Sequence, residues 1–185
     1  MHTTQSPPAT LREQVGALTG IDTARCYQCG KCSAGCPMAP ETRVRPHDVM
    51  RLVTLDRGER LANEESIWLC LTCETCSSRC PNGCEPARVL EAVREILSRE
   101  APGCVPPKVA AFHRAFLNQV RQHGRMFELG MVVEYKLRSG ALVQDAASTP
   151  GLISRGKLRP APHRIAGRQE VARIFERCLP GGKVL

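Results

Sequence analysis

The sequence predicts a mainly α-helical protein. Apolar residues recur at helical spacing in several segments of the 185-residue chain, glycines follow several of these segments, and the alternation typical of strands is scarce. Cysteine is unusually frequent at 11 residues, and eight of them fall within residues 26–36 and 70–80. We therefore expect a helical scaffold that carries two cysteine-rich segments.

The first predicted helices lie in the N-terminal half. In TLREQVGALTG, Thr10 and Glu13 form the pattern of a capping box, and Gly20 ends the segment. In RPHDVMRLVTLDRG, a helix is predicted to end at a cap on Gly58, and a second short helix is predicted over residues 61–68. The helix in RPHDVMRLVTLDRG has an apolar face made of Val49, Met50, Leu52 and Val53.

The helices predicted after the second cysteine-rich segment are longer. PARVLEAVREILSRE contains an i,i+4 pair, Glu95 and Arg99. PPKVAAFHRAFLNQVRQHG is expected to end at Gly124, and ELGMVVEYKLRSG forms a further helix. The first of these helices has an apolar stripe of Val89, Leu90, Val93, Ile96 and Leu97, and the second has a face of Val109, Phe112, Phe116, Leu117 and Val120.

Charge divides the chain into two parts. Residues 1–100 carry 12 basic and 13 acidic side chains, whereas residues 101–185 carry 14 basic and 5 acidic ones. From Ala141 the chain is rich in Gly, Pro, Ser and Arg and is expected to be loop-like until the periodic VARIFERCL. No nucleic-acid-binding motif accompanies the positive charge, and aromatic residues amount to only 4%. We therefore expect the basic region to dock onto another protein rather than onto nucleic acid.

The sequence also bears on the compartment. No stretch approaches the ~18 apolar residues of a membrane span, and MHTTQSPPAT shows neither an apolar signal core nor a twin-arginine run. We therefore expect a cytoplasmic protein without a transmembrane segment. In a reducing cytosol, dense cysteine indicates metal or redox chemistry more often than disulfides.

The two cysteine-rich segments have the same spacing. CYQCGKCSAGCP at residues 26–37, the first run, and CLTCETCSSRCP at residues 70–81, the second run, both follow C-x2-C-x2-C-x3-C-P. This pattern is typical of bacterial ferredoxins with two [4Fe-4S] clusters. Zinc is the alternative, but zinc sites usually use pairs of cysteines separated by a longer loop. Two such runs therefore predict two [4Fe-4S] clusters rather than zinc or free thiols.

The fourth cysteine of each run is predicted to bind the cluster of the other run, as in ferredoxins with two clusters. Three sulfurs two residues apart can surround one face of a cluster, whereas the proline after the fourth cysteine turns the chain away. This crossed arrangement would tie two distant segments together. The first cluster would take Cys26, Cys29, Cys32 and Cys80, and the second would take Cys70, Cys73, Cys76 and Cys36.

The remaining cysteines are not predicted to bind iron. Cys84 is interpreted as a small buried hydrophobic residue or, alternatively, as a spare or regulatory thiol. Cys104 and Cys178 have no second ligand nearby in the sequence and are interpreted as core or incidental thiols. Tyr27 and Trp68 flank the runs and are predicted to shield the clusters from water.

Charged and histidine side chains near the runs are interpreted as ordinary residues. Lys31 and Arg79 are expected to be solvated at the surface. The histidines of the helical segments lack the spacing of ligands, so no metal is assigned to His47, His113 or His123.

The chain resembles the C subunit of heterodisulfide reductases. The resemblance rests on CYQCGKCSAGCP, on IWLCLTCETCSSRCP and on the intervening RVRPHDVMRLV, and it continues into FHRAFLNQVRQHGRMFELGMVVEYKLRSG. It covers residues 20–140. The cysteine runs alone are shared with iron-sulfur subunits of succinate dehydrogenase and fumarate reductase and with the C subunit of anaerobic glycerol-3-phosphate dehydrogenase. The pair of helices after the second run favours the narrower assignment.

The resemblance implies an α-helical ferredoxin domain that relays electrons. In that family, electrons pass from a flavin-containing A subunit through the C subunit to a B subunit that carries the disulfide chemistry, so a hetero-oligomer is expected. The chain shows no G-x-G-x-x-G, no P-loop and no CCG pattern expected of the B subunit, so no activity is expected from it alone. Its 21 arginines against 5 lysines favour a bacterial member that serves sulfur metabolism.

The predicted organisation has four parts. These are an N-terminal helix or arm (1–20), a domain with two [4Fe-4S] clusters (21–101), a helical post-cluster region (102–140) and a basic tail (141–185). Two alternative functions stay open. One is the iron-sulfur subunit of a glycerol-3-phosphate or succinate/fumarate-type dehydrogenase. The other is a binding module in which the clusters are structural and the basic region acts.

Overall fold

The computed structural model describes residues 9–140, 149–156, 159–163 and 165–179, and these residues form helices and no strand. The predicted mainly α-helical fold class is therefore confirmed. The chain divides into two units, residues 1–105 and residues 106–185. Among the described residues, none of the helices combines the length and apolar character that a membrane span needs.

The first helix, α1 (Leu11–Thr19), has the caps that the sequence predicts. The Thr10 hydroxyl accepts the Glu13 N–H at 3.2 Å, and the Glu13 carboxylate accepts the Thr10 N–H at 2.8 Å. The helix ends at Gly20, whose φ of 73° places it in the left-handed region. A 3-10 turn, Thr23–Arg25, then leads directly into the first run.

The end of the next long helix differs from the prediction. Helix α2 (Lys31–Ala34) is a single turn within the first run, and α3 (Pro46–Thr54) follows it with its whole predicted apolar face buried. The predicted cap on Gly58 is wrong, because the left-handed residue after α3 is Asp56, with φ 52°. The Asp56 carboxylate accepts the Leu11 N–H at 2.7 Å. A contact with α1 therefore supports the earlier end of α3.

The helix predicted over residues 61–68 is also wrong. The chain instead forms α4 (Gly58–Ala62) and a separate 3-10 turn, Glu65–Leu69. The Asn63 amide donates to a carbonyl of α4 at 2.9 Å, and the Glu64 carboxylate accepts a backbone N–H of the following turn at 3.0 Å. Such local side-chain bonds compete with a continuous helix.

The core of the first unit forms around its longest helix. After α5 (Thr75–Ser78), a single turn within the second run, α6 (Pro86–Glu100) contacts both α1 and α3. The predicted apolar stripe of α6 is buried, and the predicted pair of Glu95 and Arg99 is present at 3.6 Å. The most deeply buried side chains of this core are Val15, Val49, Met50, Val53, Leu61, Ile67, Val89, Val93 and Ile96.

The second unit contains the predicted helix pair, but with a different buried face. Helix α7 (Pro107–His123) ends at a left-handed Gly124 as predicted, and α8 (Glu128–Ser139) follows. The predicted apolar face of α7 is wrong in its centre, because Phe112 and Phe116 are 42% and 37% exposed. Small or polar side chains face the neighbouring helices instead, and the buried residues are Ala111, Ala115 and Gln119.

A polar cluster joins α7 to α8. The Glu134 carboxylate accepts hydrogen bonds from Asn118 at 2.6 Å, Gln119 at 2.9 Å and Arg138 at 2.9 Å. Burial raises the pKa of Glu134, but these three donors outweigh it and leave the pKa lowered. The helices approach so closely that a Cβ on Gly130 would lie 2.5 Å from the Gln119 Oε1.

The region expected to be loop-like from Ala141 contains one short helix among its described residues. This helix is α9 (Thr149–Ser154), whereas residues 141–148 lie outside the described part of the chain. Helix α10 (Arg168–Cys178) includes most of the periodic VARIFERCL, as expected, and contacts α7. The predicted helical C-terminal extension is therefore confirmed.

Two leucines of the first unit allow a matched test of this core. Leu61 is 0% exposed and Leu55 is 56% exposed. We expect Leu61→Ala to lower the free energy of unfolding by about 3 kcal/mol, because it leaves a cavity in the core, and Leu55→Ala by less than about 1 kcal/mol. Anaerobic chemical denaturation followed by circular dichroism measures both. Equal losses in the two variants would contradict the packing described here.

Candidate iron-sulfur centre

The two runs share one backbone conformation. In each run, the second residue after the first cysteine and the residue before the one-turn helix are left-handed. In the first run these are Gln28 (φ 58°) and Gly30 (φ 74°), and in the second they are Thr72 (φ 50°) and Glu74 (φ 58°). Each loop then enters its one-turn helix, α2 or α5. The repeat in the sequence is therefore also a repeat in local structure.

This conformation is costly for three of the four residues. A left-handed backbone costs a residue with a side chain about 1–2 kcal/mol, and only Gly30 avoids that cost. Alternating left- and right-handed residues turn successive backbone N–H groups toward one side, which produces a concave site for anions, including iron-sulfur clusters. The strained loops therefore fit a role in wrapping a negatively charged group.

Donors also reach the cysteine sulfurs. The Gln28 side-chain amide lies 3.3 Å from the Cys26 Sγ, and the Thr72 N–H lies 3.4 Å from the Cys70 Sγ. The Cys84 N–H lies 3.3 Å from the Cys80 Sγ. Such bonds stabilise negative charge on thiolate ligands. The sequence carries no pattern for these contacts, because two of the three donors are backbone groups.

The two runs lie against each other within the first unit. The Arg79 guanidinium donates from Nε to the Lys31 carbonyl at 3.3 Å, and the Asn82 amide donates to the Arg25 carbonyl. Helices α2 and α5 are in contact, and the Arg79 side chain leaves no room for a Cβ on Gly35. Arg79 is exposed, as expected, but it also joins the two runs.

The thiols of the two runs influence one another. Burial raises the pKa of Cys76 to about 11, and the nearby Cys70 and Cys32 add to the effect. Burial likewise raises the pKa of Cys32. Crowded thiols ionise reluctantly because their negative charges repel, and bound metal offsets this repulsion. The arrangement therefore suits metal ligands better than isolated thiols.

The second run contains one sulfur that ionises more readily. The Cys73 sulfur lies 3.4 Å from the Thr75 hydroxyl, and hydrogen bonds with the Thr75 hydroxyl and backbone lower the pKa of Cys73.

The eight predicted ligands differ in exposure. Cys29 and Cys73 are exposed, Cys32 is buried, and the other five are half-buried. Within the described residues, no group of three or more His, Cys, Asp or Glu side chains is arranged to hold a single metal ion.

Comparison with known proteins identifies this part of the chain. Residues 25–85 match a family described as the 4Fe-4S dicluster domain. The chain contains a 4Fe-4S dicluster domain. The match spans both runs, so the prediction of two [4Fe-4S] clusters is confirmed. The residue-by-residue assignment of ligands stays a prediction.

Curated relatives extend the comparison. The chain is 33% identical over 80 residues to the iron-sulfur C subunit of the CoB–CoM heterodisulfide reductase of Methanopyrus kandleri, and the aligned region covers 43% of this chain and 42% of that protein. It is 32% identical over 99 residues to the second such C subunit of Methanocaldococcus jannaschii, and this aligned region covers 54% of the chain and 50% of the relative. The chain thus spans half or less of the length of these relatives. The predicted resemblance to the C subunit of heterodisulfide reductases is confirmed.

A buried serine and a histidine anchor the first run of the dicluster domain. Ser33, next to Cys32, has its hydroxyl 2.6 Å from the His47 Nδ1 and also accepts the His47 N–H at 3.1 Å. The His47 Nε2 lies 3.4 Å from an Asp48 carboxylate oxygen. These contacts fix α2 to the start of α3. Sequence reasoning missed them, because Ser33 and His47 are 14 residues apart and belong to no recognised motif.

The two aromatic side chains beside the dicluster domain differ in exposure. Tyr27 is 62% exposed, whereas Trp68 is half-buried and packs against the core. The Trp68 Nε1 is buried and has no hydrogen-bond partner among the described residues. Burial therefore favours Trp68 as the residue that excludes water, and shielding by Tyr27 stays a prediction.

The three remaining cysteines have different surroundings. Cys84 is 2% exposed and belongs to the hydrophobic core, so its interpretation as a small buried hydrophobic residue is confirmed. Burial raises the pKa of Cys84 to about 11, with further contributions from nearby Cys80 and Cys26. Cys104 packs half-buried against the same core, and Cys178 is exposed.

The repeated loop conformation leads to a reciprocal test. Glu74→Gly replaces a left-handed residue by glycine and is expected to raise the free energy of unfolding by about 1 kcal/mol. Gly30→Ala makes the opposite change at the same position of the first run, where a Cβ would meet no neighbour within 4 Å. We expect it to lower the free energy of unfolding by about 1 kcal/mol. Anaerobic chemical denaturation measures both, and a loss of stability in Glu74→Gly would contradict the strain assigned to this loop.

Proposed function

We propose that the chain is the electron-transfer iron-sulfur subunit of a heterodisulfide reductase-like complex. It would relay electrons between two partner subunits, one that contains flavin and one that performs thiol–disulfide chemistry. The observation that carries this proposal is the dicluster domain itself, in which two runs of identical loop conformation lie in one unit. Similarity to the C subunits of heterodisulfide reductases supports the type of complex.

We further propose the crossed set of ligands. Two observations support the assignment of Cys80 to the cluster of the first run. The Asn82 amide reaches the Arg25 carbonyl, immediately before Cys26, and the pKa of Cys84 responds to both Cys80 and Cys26. Both observations favour a position of Cys80 close to the first cysteine of the first run. The proposed sets are Cys26, Cys29, Cys32 and Cys80 for the first cluster, and Cys70, Cys73, Cys76 and Cys36 for the second.

The side chains of the dicluster domain would hold the clusters and tune their reduction potentials rather than catalyse a reaction. When bound, each [4Fe-4S] cluster supplies one-electron redox chemistry. The Gln28 side-chain amide and the Thr72 N–H would stabilise charge on the sulfurs. The core around α6 keeps water from one side of both runs. The domain boundaries 21–101, 102–140 and 141–185 belong to the same proposal, with the region after residue 101 serving attachment.

Exposed apolar side chains support attachment to partner subunits. Phe112 stacks on Phe116 with ring centroids 6.5 Å apart and meets Tyr135 edge-on at 6.1 Å. Leu137 of α8 is exposed as well. Aromatic side chains of this kind are enriched among residues that dominate binding energy. Residues 101–185 carry 14 basic and 5 acidic side chains, which favours an acidic partner surface.

The crossed ligand sets predict which cluster each fourth cysteine serves. Cys36→Ser should alter the EPR signal of the cluster held by Cys70, Cys73 and Cys76, because its sulfur would be lost from that cluster. Cys80→Ser should alter the signal of the other cluster. Cys29→Ser and Cys73→Ser assign the signals, and anaerobically prepared unmodified protein should contain about eight iron and eight acid-labile sulfides per chain.

The same variants can also contradict the crossed ligand sets. If Cys36→Ser and Cys29→Ser alter one common signal and leave the other unchanged, each run binds its own cluster. Stoichiometric zinc without sulfide would overturn the iron-sulfur assignment altogether.

Attachment through α7 predicts a loss of partner binding. Replacing Phe112 and Phe116 together by alanine should lower the yield of co-purified subunits at least about tenfold, because aromatic anchors at interfaces often contribute about 2 kcal/mol or more. Anaerobic affinity purification from the native host, followed by mass spectrometry, measures the yield and identifies the partners. Leu55→Ala, at a residue of the first unit that is 56% exposed, is the control.

Three results would count against this function. They are unchanged co-purification by the Phe112 and Phe116 variant, disulfide reductase turnover by the isolated chain, and partners other than a flavoprotein and a disulfide-active protein. Glycerol-3-phosphate or succinate dehydrogenase subunits among the partners would establish the alternative instead.

A further inference from the structure

The two runs differ at one position that faces a ligand sulfur. Four residues after the last cysteine of the second run stands Cys84, whose N–H lies 3.3 Å from the Cys80 Sγ. Four residues after the last cysteine of the first run stands Pro40, which has no N–H to donate. The donor that Cys80 receives from this position is therefore unavailable to Cys36.

A hydrogen-bonded turn follows both cysteines, although Gly83 is left-handed (φ 60°) and Ala39, at the same position of the first run, is not. The Ala39 N–H donates to the Cys36 carbonyl at 3.1 Å, and the Gly83 N–H donates to the Cys80 carbonyl at 3.3 Å. A proline follows the cysteine in both runs. Pro40 and Cys84 thus stand at the same distance in the sequence from the last cysteine of their runs, each directly after a turn closed by one hydrogen bond.

We propose that this position is a device that sets the reduction potentials of the two clusters apart. The Cys84 N–H raises the potential of the cluster that contains Cys80, and Pro40 withholds the same donor from the cluster that contains Cys36. Cys84 is a positioning residue, since it acts through the ligand next to it. The inference rests on the proposed ligand sets, and its test distinguishes a failure of the inference from a failure of the ligand sets.

The direction of the effect follows from charge. A hydrogen bond to a ligand sulfur strengthens when that sulfur gains negative charge, so it stabilises the reduced form and raises the potential. Cys84 is 2% exposed and lies in the hydrophobic core, where water does not compete with the bond. Pro40, by contrast, is exposed.

Other donors act on both runs. The Gln28 amide reaches Cys26, and the Thr72 N–H reaches Cys70. The order of the two potentials therefore depends on several bonds. The contribution of this one position is measured by comparing each cluster with itself before and after a substitution.

The test exchanges the two residues in the full chain with both clusters assembled anaerobically. Cys84→Pro installs the residue that the first run carries and should lower the potential of the first cluster, whereas Pro40→Ala supplies an N–H and should raise that of the second. We expect a change of about fivefold in the one-electron equilibrium of the affected cluster, which is about 40 mV at 59 mV per tenfold. EPR-monitored redox titration measures both potentials, with Cys29→Ser and Cys73→Ser assigning the signals.

Cys84→Ala is the matched control, because it keeps the backbone N–H and removes only the thiol. It should leave both potentials within about a twofold change in the one-electron equilibrium. A shift as large as that of Cys84→Pro would assign the effect to the thiol, and loss of a cluster would make Cys84 a ligand. Either result overturns the proposal. If Cys84→Pro fails to hold eight iron, Pro40→Ala and Cys84→Ala decide the outcome by themselves.

The proposal and the ligand sets fail in distinguishable ways. If Cys84→Pro shifts the signal assigned by Cys73→Ser, the donor role stands and the crossed ligand sets are wrong. If Cys84→Pro retains both clusters but neither it nor Pro40→Ala shifts any potential, the donor role is wrong whichever ligand sets hold. Unshifted potentials in Pro40→Ala alone would restrict the device to Cys84 and overturn the part assigned to Pro40.

Discussion

The contact between the two runs is the constraint on which the first unit depends. Helices α2 and α5 have four residues each and are far too short to be stable alone. Their loops include left-handed residues that bear side chains. Such segments keep one conformation only because the core around α6, the bonds from Arg79 and Asn82, and the clusters hold them together. Ligand binding and folding are therefore linked in this domain.

The environment of the two runs is similar in outline and different in detail. Both contain two left-handed residues and one exposed cysteine, Cys29 or Cys73. The end of the second run continues almost directly into α6 and so lies in the core, whereas the end of the first run is followed by a longer surface segment before α3. A repeated motif thus acquires two different surroundings, and hydrogen bonding and solvent exposure around a cluster are among the factors that set its potential.

The buried residues of the second unit differ in type from those of the first. Its buried residues on α7 are Ala111, Ala115 and Gln119, and a hydrogen-bonded carboxylate, Glu134, joins the two helices. Large apolar side chains, among them Phe112 and Leu137, stay exposed. A unit that leaves much of its apolar surface uncovered is suited to a role in an assembly, where a partner can bury that surface.

Sequence patterns alone predicted the helical class, the two clusters, the capping of α1 by Thr10 and Glu13, and the buried stripe of α6. These features depend on local periodicity, caps and spacing, which a linear pattern records. Tertiary structure decided the end of α3 at Asp56, because that carboxylate caps another helix, and the buried face of α7, because small side chains permit close helix packing. The left-handed conformation of the loops and the hydrogen bond from the Cys84 N–H to the Cys80 Sγ also depend on tertiary structure. Backbone groups provide these contacts, and their direction depends on how distant segments meet rather than on residue type.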